Sequence, residues 1–253
     1  YDEVVKDATC RLLTYALNGN ADFMGDDIHY ASNHDFVGIE FSIHGMLDGR
    51  VRVGMPGKFN ADNALAALAV CTLALSGGSG VLDDHTKQAI LGSLVKVRVD
   101  GRMEIAHVSK KCSVIVDYAH NAVSMESLLT TLRDYHPKRL VCVFGCGGNR
   151  ARDRRYSMGE IGGKMADLCI ITADNPRFEK NEDIIKDIEV GLAKTDGTYL
   201  VIPDRQEAIF YAIRNAEEGD MIAIIGKGHE DYQEIEGVKH HFLDREVVEE
   251  AVK

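Results

Sequence analysis

Four short segments rich in glycine and charged side chains follow predicted strands in the second half of the chain. The first spans residues 145–150 (GCGGNR), and four arginines fall within the six residues that begin at Arg150. Glycines let backbone amides approach an anion, and the start of the following helix adds partial positive charge. A solvated basic turn would explain the arginines but not the glycines at a strand end. We therefore predict that this segment binds an anionic group.

The second segment, residues 174–177 (DNPR), also follows a predicted strand. Pro176 fixes its own φ angle and restricts the residue before it, so the loop could hold Asn175 and Arg177 in set directions. The guanidinium of Arg177 is a planar fork suited to two carboxylate oxygens. The spacing alone favours a ligand-binding loop and an ordinary turn before the next helix equally.

The two remaining segments are residues 226–230 (GKGHE) and 117–120 (DYAH). The first lacks the GxxxxGK[ST] spacing of a phosphate-binding loop, so its glycines alone carry little weight. It does place Glu230 at the sheet edge where the arginines are expected. In the second, His120 could contact a phosphate or cap the following helix, and the residues alone favour the cap.

Short apolar runs alternate with helical periods from residue 112 onward. They predict strands over 112–118, 140–144, 170–172, 199–202 and 221–225. The intervening periods predict helices over 123–135, 157–166, 182–193 and 205–217, with a final helix over 245–252. Near-continuous apolar strands alternating with helices indicate an α/β fold with an open, Rossmann-like, doubly wound, mostly parallel sheet. Such sheets bind ligands at the carboxyl ends of their strands.

The first hundred residues show a different pattern. Segments 12–17, 27–30 and 38–53 alternate like meandering strands, with Asn-Gly and Asp-Gly turns at 18–19 and 48–49. Helices are predicted over 60–75 and 85–94, and we expect the strands before them in an α/β layer to be absent from this chain. The prediction is a domain over residues 1–99, an incomplete α/β piece, and a second domain over 100–253.

Composition limits the class of protein. The 253 residues are 45% hydrophobic and 27% charged, with a net charge of −11. These values are typical of a globular chain rather than a disordered, fibrous or membrane-spanning one, and the acidic balance argues against nucleic acid or anionic lipid as partners. A zinc site from Cys142, Cys146 and the pair at 240–241 would fit no common motif, and no metal site is predicted. The six cysteines are predicted to be reduced, buried thiols of a cytoplasmic protein.

Together with residues 57–63 (GKFNADN) and 101–104 (GRME), the four segments resemble the Mur ligases of peptidoglycan synthesis. The similarity runs from residues 13–15 to residues 244–246. It implies a central ATP-binding domain followed by a domain that binds the incoming amino acid, with ATP and Mg²⁺ as cofactors. The implied reaction phosphorylates a peptidyl glutamate carboxylate, and an amine then attacks the acyl phosphate to form an amide.

The resemblance also implies residue roles. The positions that would contact ATP are Asn60, Asn63, Arg102, Asp117 and His120. The positions that would hold the amino acid are Arg150, Asp174, Asn175, Arg177, Gly226 and Glu230. The DNPR form resembles that of members that add meso-diaminopimelate, rather than lysine, to UDP-MurNAc-L-Ala-D-Glu. No catalytic residue or metal ligand is assigned, and a cytoplasmic monomer is expected.

The choice of amino acid has a physical basis as well. The distal end of meso-diaminopimelate carries a carboxylate and an ammonium, which Arg177 (with Arg150) and Glu230 would complement. Lysine has no distal carboxylate and would leave a desolvated arginine unpaired, at a cost of about 1–3 kcal/mol or more.

Several features depart from the family pattern. A Gly-Thr-x-Gly-Lys-Thr phosphate loop is absent and the chain opens at Tyr1, so we expect a piece of about half an enzyme that is inactive alone. Asn121 and Ala122 stand where a proline is frequent, and Asn149 replaces a frequent aspartate. The alternatives are a lysine- or other diamine-adding ligase, which Arg177 argues against, and a noncatalytic nucleotide-binding module. An in-frame phosphate loop upstream of Tyr1 would favour the enzyme over the module.

Overall fold

The computed structural model describes residues 5–10 and 12–253, which form two compact units. One comprises the chain up to Ala31 together with Gly38–Val97, and the other Ser32–Val37 together with Arg98–Lys253. Residues 1–4 and 11, part of the predicted first domain, lie outside the described residues. Within the described ranges, every helix is too short or too polar to cross a membrane.

The first unit contains two helices and a four-stranded sheet, except for residues 32–37 at the ends of two of its strands, which belong to the second unit. Its strands lie side by side in chain order: β1 (Tyr15–Leu17), β2 (Phe23–Asn33), β3 (Phe36–Gly45) and β4 (Gly49–Val53). Helices α1 (Phe59–Leu75) and α2 (Asp84–Ser93) follow, and a 3₁₀ turn covers Leu94–Lys96. Ile39, Phe41 and Ile43 alternate along β3 and share one core with Leu65 and Leu68 of α1. The helices therefore pack on the strands of their own unit.

The second unit contains a six-stranded sheet in the order β5-β6-β10-β7-β8-β9. The strands are β5 (Glu104–Val108), β6 (Cys112–Asp117), β7 (Arg139–Phe144), β8 (Leu168–Ile171), β9 (Tyr199–Val201) and β10 (Asp220–Ile225). Only the pairing of β5 with β6 is antiparallel in this sheet. The predicted mostly parallel sheet is confirmed.

Helices cover both faces of this sheet. They are α3 (Ala122–Arg133), α4 (Asp153–Met165), α5 (Asn181–Leu192), α6 (Arg205–Arg214) and α7 (Asp244–Ala251). The first three share a core with one face, and α6 and α7 share a second core with the other. Every residue of β6 and β10 is buried, as expected for strands covered on both faces. The doubly wound arrangement is confirmed.

Two features of the second unit were not predicted. One is the antiparallel edge strand β5, and the other is a hairpin of β11 (Tyr232–Ile235) and β12 (Val238–His241). Glu236 and Gly237 form the hairpin turn with φ of +50° and +79°. Positive φ at both central residues is the geometry of a type I′ turn. Such turns favour glycine at the second central position, which Gly237 occupies here.

The prediction that all six cysteines are buried is wrong for two of them. Cys112, Cys142, Cys146 and Cys169 are buried, whereas Cys10 and Cys71 are exposed, and all six are free thiols. Burial raises the pKa of Cys146 to about 12, so this thiol is an unreactive core group at neutral pH.

Candidate functional site

A cavity of about 460 Å³ opens at the carboxyl edge of the six-stranded sheet. The loops after β6, β7, β8 and β10 form it, as expected for an open parallel sheet. Seven of the predicted site residues line it: His120, Arg150, Asp174, Asn175, Arg177, Gly226 and Glu230. The structure thus brings the polar segments after these four strands to one place.

The loop after β7 is fixed by close backbone contacts. The N–H of Gly148 donates to the carbonyl of Asn175 over 2.8 Å. A Cβ atom on Gly148 would lie 1.9 Å from the carbonyl oxygen of Pro176, so only glycine fits there. Asn149 adopts a φ of +55°, and its N–H donates to the Glu179 carboxylate over 2.5 Å. These contacts join the glycine-rich loop to the loop after β8.

A buried arginine stabilises this junction from below. Arg155 pairs with Glu179 over 2.8 Å and with Asp187 over 2.9 Å, and its side chain is 1% exposed. The bond from Arg155 lowers the pKa of Glu179 more than any other contact. Of the four arginines in this stretch, Arg155 therefore has a structural position rather than a place on the cavity wall.

Two other arginines, Arg150 and Arg154, line the cavity. Within residues 5–10 and 12–253, neither guanidinium has a hydrogen-bond or ion-pair partner in the protein. Because they lack partners in the protein, these two guanidinium groups are available to an anionic ligand. Charge-assisted hydrogen bonds to carboxylates are among the stronger polar contacts in proteins. Arg154 was not among the predicted site residues.

Arg177 reaches the cavity with part of its bonding capacity already used. Its Nε lies 3.1 Å from Glu234 Oε2, and its NH1 donates to the Gly148 carbonyl over 3.0 Å. The backbone of Arg177 has a φ of +51° and is hydrogen-bonded on both sides to the β11 segment. The expectation that lysine would leave this arginine unpaired is therefore wrong, because Glu234 remains its partner in the absence of ligand.

Glu230 lies among three donors. Its carboxylate accepts from Asn175 Nδ2 over 2.8 Å and from the Tyr118 hydroxyl over 3.3 Å. Lys227 Nζ lies 3.5 Å from the same carboxylate. These contacts fix the orientation of the Glu230 carboxylate at the cavity wall, where it can accept hydrogen bonds from a cationic group.

Asp174 and Gly226 meet at the base of the cavity. A Cβ atom on Gly226 would lie 2.5 Å from Asp174 Oδ2, and Gly226 has a φ of +113°, so this position requires glycine. Asp174 is buried, and that burial raises the pKa of its carboxyl group. The guanidinium of Arg205 and the ammonium of Lys227 act in the opposite direction and lower that pKa, whereas Asp244, the buried partner of Arg205, raises it.

Tyr118 connects two groups of predicted site residues. The guanidinium of Arg102 lies over its ring at 5.0 Å, and the ring of His120 meets it edge-on at 4.8 Å. The Tyr118 hydroxyl donates to the Glu230 carboxylate. The helix cap predicted as the plainer role of His120 belongs instead to Asn121, whose Oδ1 accepts from the Ser124 N–H over 2.9 Å. His120 is therefore exposed at the cavity rather than engaged in starting α3.

Asp117 does not line the cavity. Its two carboxylate oxygens accept backbone N–H groups from Met103 over 2.8 Å and from Ala119 over 2.7 Å. Burial is the largest influence on its pKa and raises it, although these two bonds oppose the rise. The geometry gives Asp117 the task of joining the loops that carry Arg102 and His120.

Asn60 and Asn63 lie in the first turns of α1, in the other unit. Asn60 is buried, its Nδ2 donates to the Pro56 carbonyl over 2.7 Å, and its Oδ1 accepts from Asn63 over 3.0 Å. The exposed amide of this pair is therefore that of Asn63, which Asn60 orients.

No group of three or more side chains suited to hold a metal ion occurs in the part of the chain that the structure describes. Cys142 lies buried in β7, and the histidines at 240 and 241 lie on the exposed strand β12 of a different sheet.

Sequence reasoning missed five residues at or beneath the cavity: Tyr118, Arg154, Lys227, Tyr232 and Glu234. Tyr118 and Lys227 lie within segments that were singled out, and Arg154 lies in the run of arginines that begins at Arg150. The sequence pattern does not show which of these residues line the cavity or contact a residue that does. Tyr232 and Glu234 belong to the hairpin, which the glycine turn at 236–237 between alternating residues could have predicted.

A doubly wound α/β sheet with charged loops at its carboxyl edge defines a ligand-binding domain of the Rossmann-like class. Comparison with protein families identifies the domain further. Residues 101–228 match the Mur ligase, glutamate ligase domain, and residues 1–71 match the Mur ligase middle domain. The chain belongs to the Mur ligase family, which confirms the resemblance inferred from its motifs.

Individual relatives are similar over nearly the whole chain. UDP-N-acetylmuramoyl-L-alanyl-D-glutamate–2,6-diaminopimelate ligase 2 of Clostridium acetobutylicum is 40% identical over 252 residues, 99% of this chain and 50% of the relative. The ligase of that name from Aquifex aeolicus is 42% identical over 93% of this chain and 44% of its own. A solved structure with that name has a TM-score of 0.75 and 34% identity, covering 99% of this chain and 50% of that chain.

A more distant structure shows that the fold extends beyond these enzymes. Folylpolyglutamate synthase from Thermotoga maritima shares the fold with a TM-score of 0.59 at 22% identity, covering 88% of this chain and 47% of that chain. The chain spans about half the length of the curated relatives it matches.

Proposed function

We propose that the chain supplies the amino-acid site and part of the ATP site of a ligase that adds meso-diaminopimelate to UDP-MurNAc-L-Ala-D-Glu. The reaction proceeds through an acyl phosphate on the glutamate carboxylate. Support comes from the names of the relatives, which are ligases of 2,6-diaminopimelate, and from the charges around the cavity. In this proposal the protein is a cytoplasmic monomer, and its substrates are meso-diaminopimelate and UDP-MurNAc-L-Ala-D-Glu.

One observation carries the proposal: a single cavity has guanidinium groups and a fixed carboxylate in its wall. Arg177, Arg150 and Arg154 are placed to bind carboxylate groups, and Glu230 is placed to bind an ammonium group. A diamino diacid has both kinds of group at each end. Its charges therefore match this wall better than those of a neutral or singly charged ligand.

Discrimination against lysine rests mainly on the unpartnered arginines. Arg177 has Glu234 as a partner without any ligand, whereas Arg150 and Arg154 lack a protein partner and would pair with the distal carboxylate, which meso-diaminopimelate has and lysine lacks. One bond to a charged group is worth about 1.5–3 kcal/mol, which corresponds to roughly 10- to 150-fold in affinity.

The contribution of this chain to the reaction is positioning. Holding both ends of the amino acid in fixed contacts removes motion that the attacking amine would otherwise have to lose in the transition state. ATP, with Mg²⁺, supplies the phosphoryl group that activates the acceptor carboxylate.

A second group of residues is proposed to form the ATP site. Arg102 and His120, with exposed side chains beside Tyr118, fit the phosphate side of ATP. Asn63, oriented by Asn60, is proposed to meet the adenine, and Asp117 to hold the loops that carry Arg102 and His120.

A calorimetric titration of the full-length protein with meso-diaminopimelate and with lysine tests the proposal. We expect meso-diaminopimelate to bind at least about tenfold more tightly, because only it has a second, distal carboxylate for the free guanidinium groups. In Arg150→Ala this preference should fall. Equal binding, or tighter binding of lysine, would contradict the proposal, and the absence of binding by either would favour a noncatalytic module.

A further inference from the structure

Lys227 is a buried cation beneath the amino-acid cavity. Its side chain is 0% exposed, which is rare for lysine because an ammonium group loses its hydration on burial. It lies in the GKGHE segment after β10, three residues before Glu230. Its Nζ contacts the Tyr232 carbonyl, Asn175 Oδ1 at 3.4 Å and Glu230 Oε2 at 3.5 Å.

These contacts determine which way the amide of Asn175 faces. Asn175 Oδ1 accepts from Lys227 and from the backbone N–H of Glu234 over 2.8 Å. Two donors on one side and the Glu230 carboxylate on the other are compatible with only one orientation of the amide, the one that directs Nδ2 to Glu230. The second N–H of that Nδ2 is then a donor that the ligand can use.

We infer that Lys227 is a positioning residue of the amino-acid site, which orients Asn175 as a donor and fixes the Glu230 carboxylate that receives the substrate ammonium. This inference rests on the proposed function. Lys227 acts through these two residues, and its Nζ is occupied by protein acceptors rather than by the ligand.

The charges around Lys227 support this role. The charged groups that act on it include the carboxylates of Asp174 and Glu230 and the guanidinium of Arg205. Burial is the largest influence on the pKa of Lys227 and lowers it, whereas the two carboxylates raise it. Without the ammonium group, Asp174 and Glu230 would lose a buried cation that acts on both carboxylates. Glu230 would then be held by Tyr118 and by an amide whose Oδ1 keeps one of its two donors, the Glu234 N–H.

The test is Lys227→Met in the full-length enzyme, which removes the charge at similar volume. We expect kcat/KM for meso-diaminopimelate to fall about 10- to 100-fold, mostly through KM, because charge-assisted contacts are lost at that site alone. KM for ATP should stay within about twofold. Lys194→Met, which removes an exposed lysine of the same unit, is the matched control and should change neither constant.

A double-mutant cycle with Glu230→Gln separates positioning from general structural support. If Lys227 acts through Glu230, the Lys227→Met effect should shrink to about threefold or less in the Glu230→Gln background. An equal effect in both backgrounds, or an unchanged KM in the single variant, would overturn the inference. Should Lys227→Met fail to fold, Lys227→Gln keeps a donor without the charge, and the same cycle applies. A wild-type enzyme that does not use meso-diaminopimelate would instead refute the proposed function.

Discussion

The buried pair of Arg205 and Asp244 should govern the stability of the site-bearing sheet. Both side chains are 0% exposed, and two parallel bonds of 2.7 Å join the guanidinium to the carboxylate. The same guanidinium donates to the carbonyls of Ala173 over 3.1 Å and Ile225 over 3.0 Å. Because these carbonyls directly precede Asp174 and Gly226, the pair holds the two strand ends from which the cavity loops emerge.

Arg205→Met should be strongly destabilising. It leaves a carboxylate buried without its cation and two carbonyls without a donor, a change that costs about 3–5 kcal/mol for a buried pair. Replacing both partners with apolar residues, Arg205→Met with Asp244→Leu, removes the unpaired charge and should recover much of that loss. Lys186→Met is the matched control. Its exposed ammonium pairs with the exposed Asp183 at 3.4 Å, and such surface pairs contribute about 1 kcal/mol or less.

Hydrogen exchange of the β10 segment in the full-length protein measures the effect. A loss of 3–5 kcal/mol corresponds to roughly 10²- to 10⁴-fold faster exchange of these amides, whereas the control should change the exchange rate by less than about tenfold. A change in Arg205→Met no larger than in the control would refute the reasoning. So would a double variant that exchanges faster than the single one.

Two further predictions concern the loop after β7. Gly148→Ala would place a methyl group against the Pro176 carbonyl, so we expect at least about tenfold weaker binding of meso-diaminopimelate, measured by calorimetry. Gly92→Ala meets no atom within 4 Å and should leave binding unchanged while stabilising α2 by up to about 1 kcal/mol. Glu179→Gln removes a carboxylate whose pKa the Arg155 bond lowers from 4.5, so its stabilising contribution is present above that value and is lost as the pH falls through the folded-state pKa. The difference in melting temperature between Glu179→Gln and wild type should therefore shrink as the pH is lowered from about 7 to about 3. A difference that stays constant over this range would contradict the prediction.

The sequence was most informative where apolar runs are long. The strands β6, β7 and β10 are buried on both faces, so their runs of Val, Ile and Leu identify them without knowledge of the surroundings. Since parallel strands end at the same edge, the loops after them could be predicted to meet. The cavity lined by Arg177 and Glu230 agrees with that expectation.

What the sequence did not reveal are contacts between segments far apart in the chain. The partner of Arg177 is Glu234, 57 residues later, and the partner of Asn175 Nδ2 is Glu230, 55 residues later. A lone lysine between two glycines gives no sign of being buried, as Lys227 is. Such positions are set by tertiary packing, which the local pattern does not encode.

The most direct test is the structure of the full-length protein with bound meso-diaminopimelate. We predict a carboxylate of the ligand within hydrogen-bond distance of Arg177 or Arg150, and the neighbouring ammonium against Glu230. A ligand bound elsewhere, or bound in this cavity with its carboxylate and ammonium groups turned away from these side chains, would contradict the account.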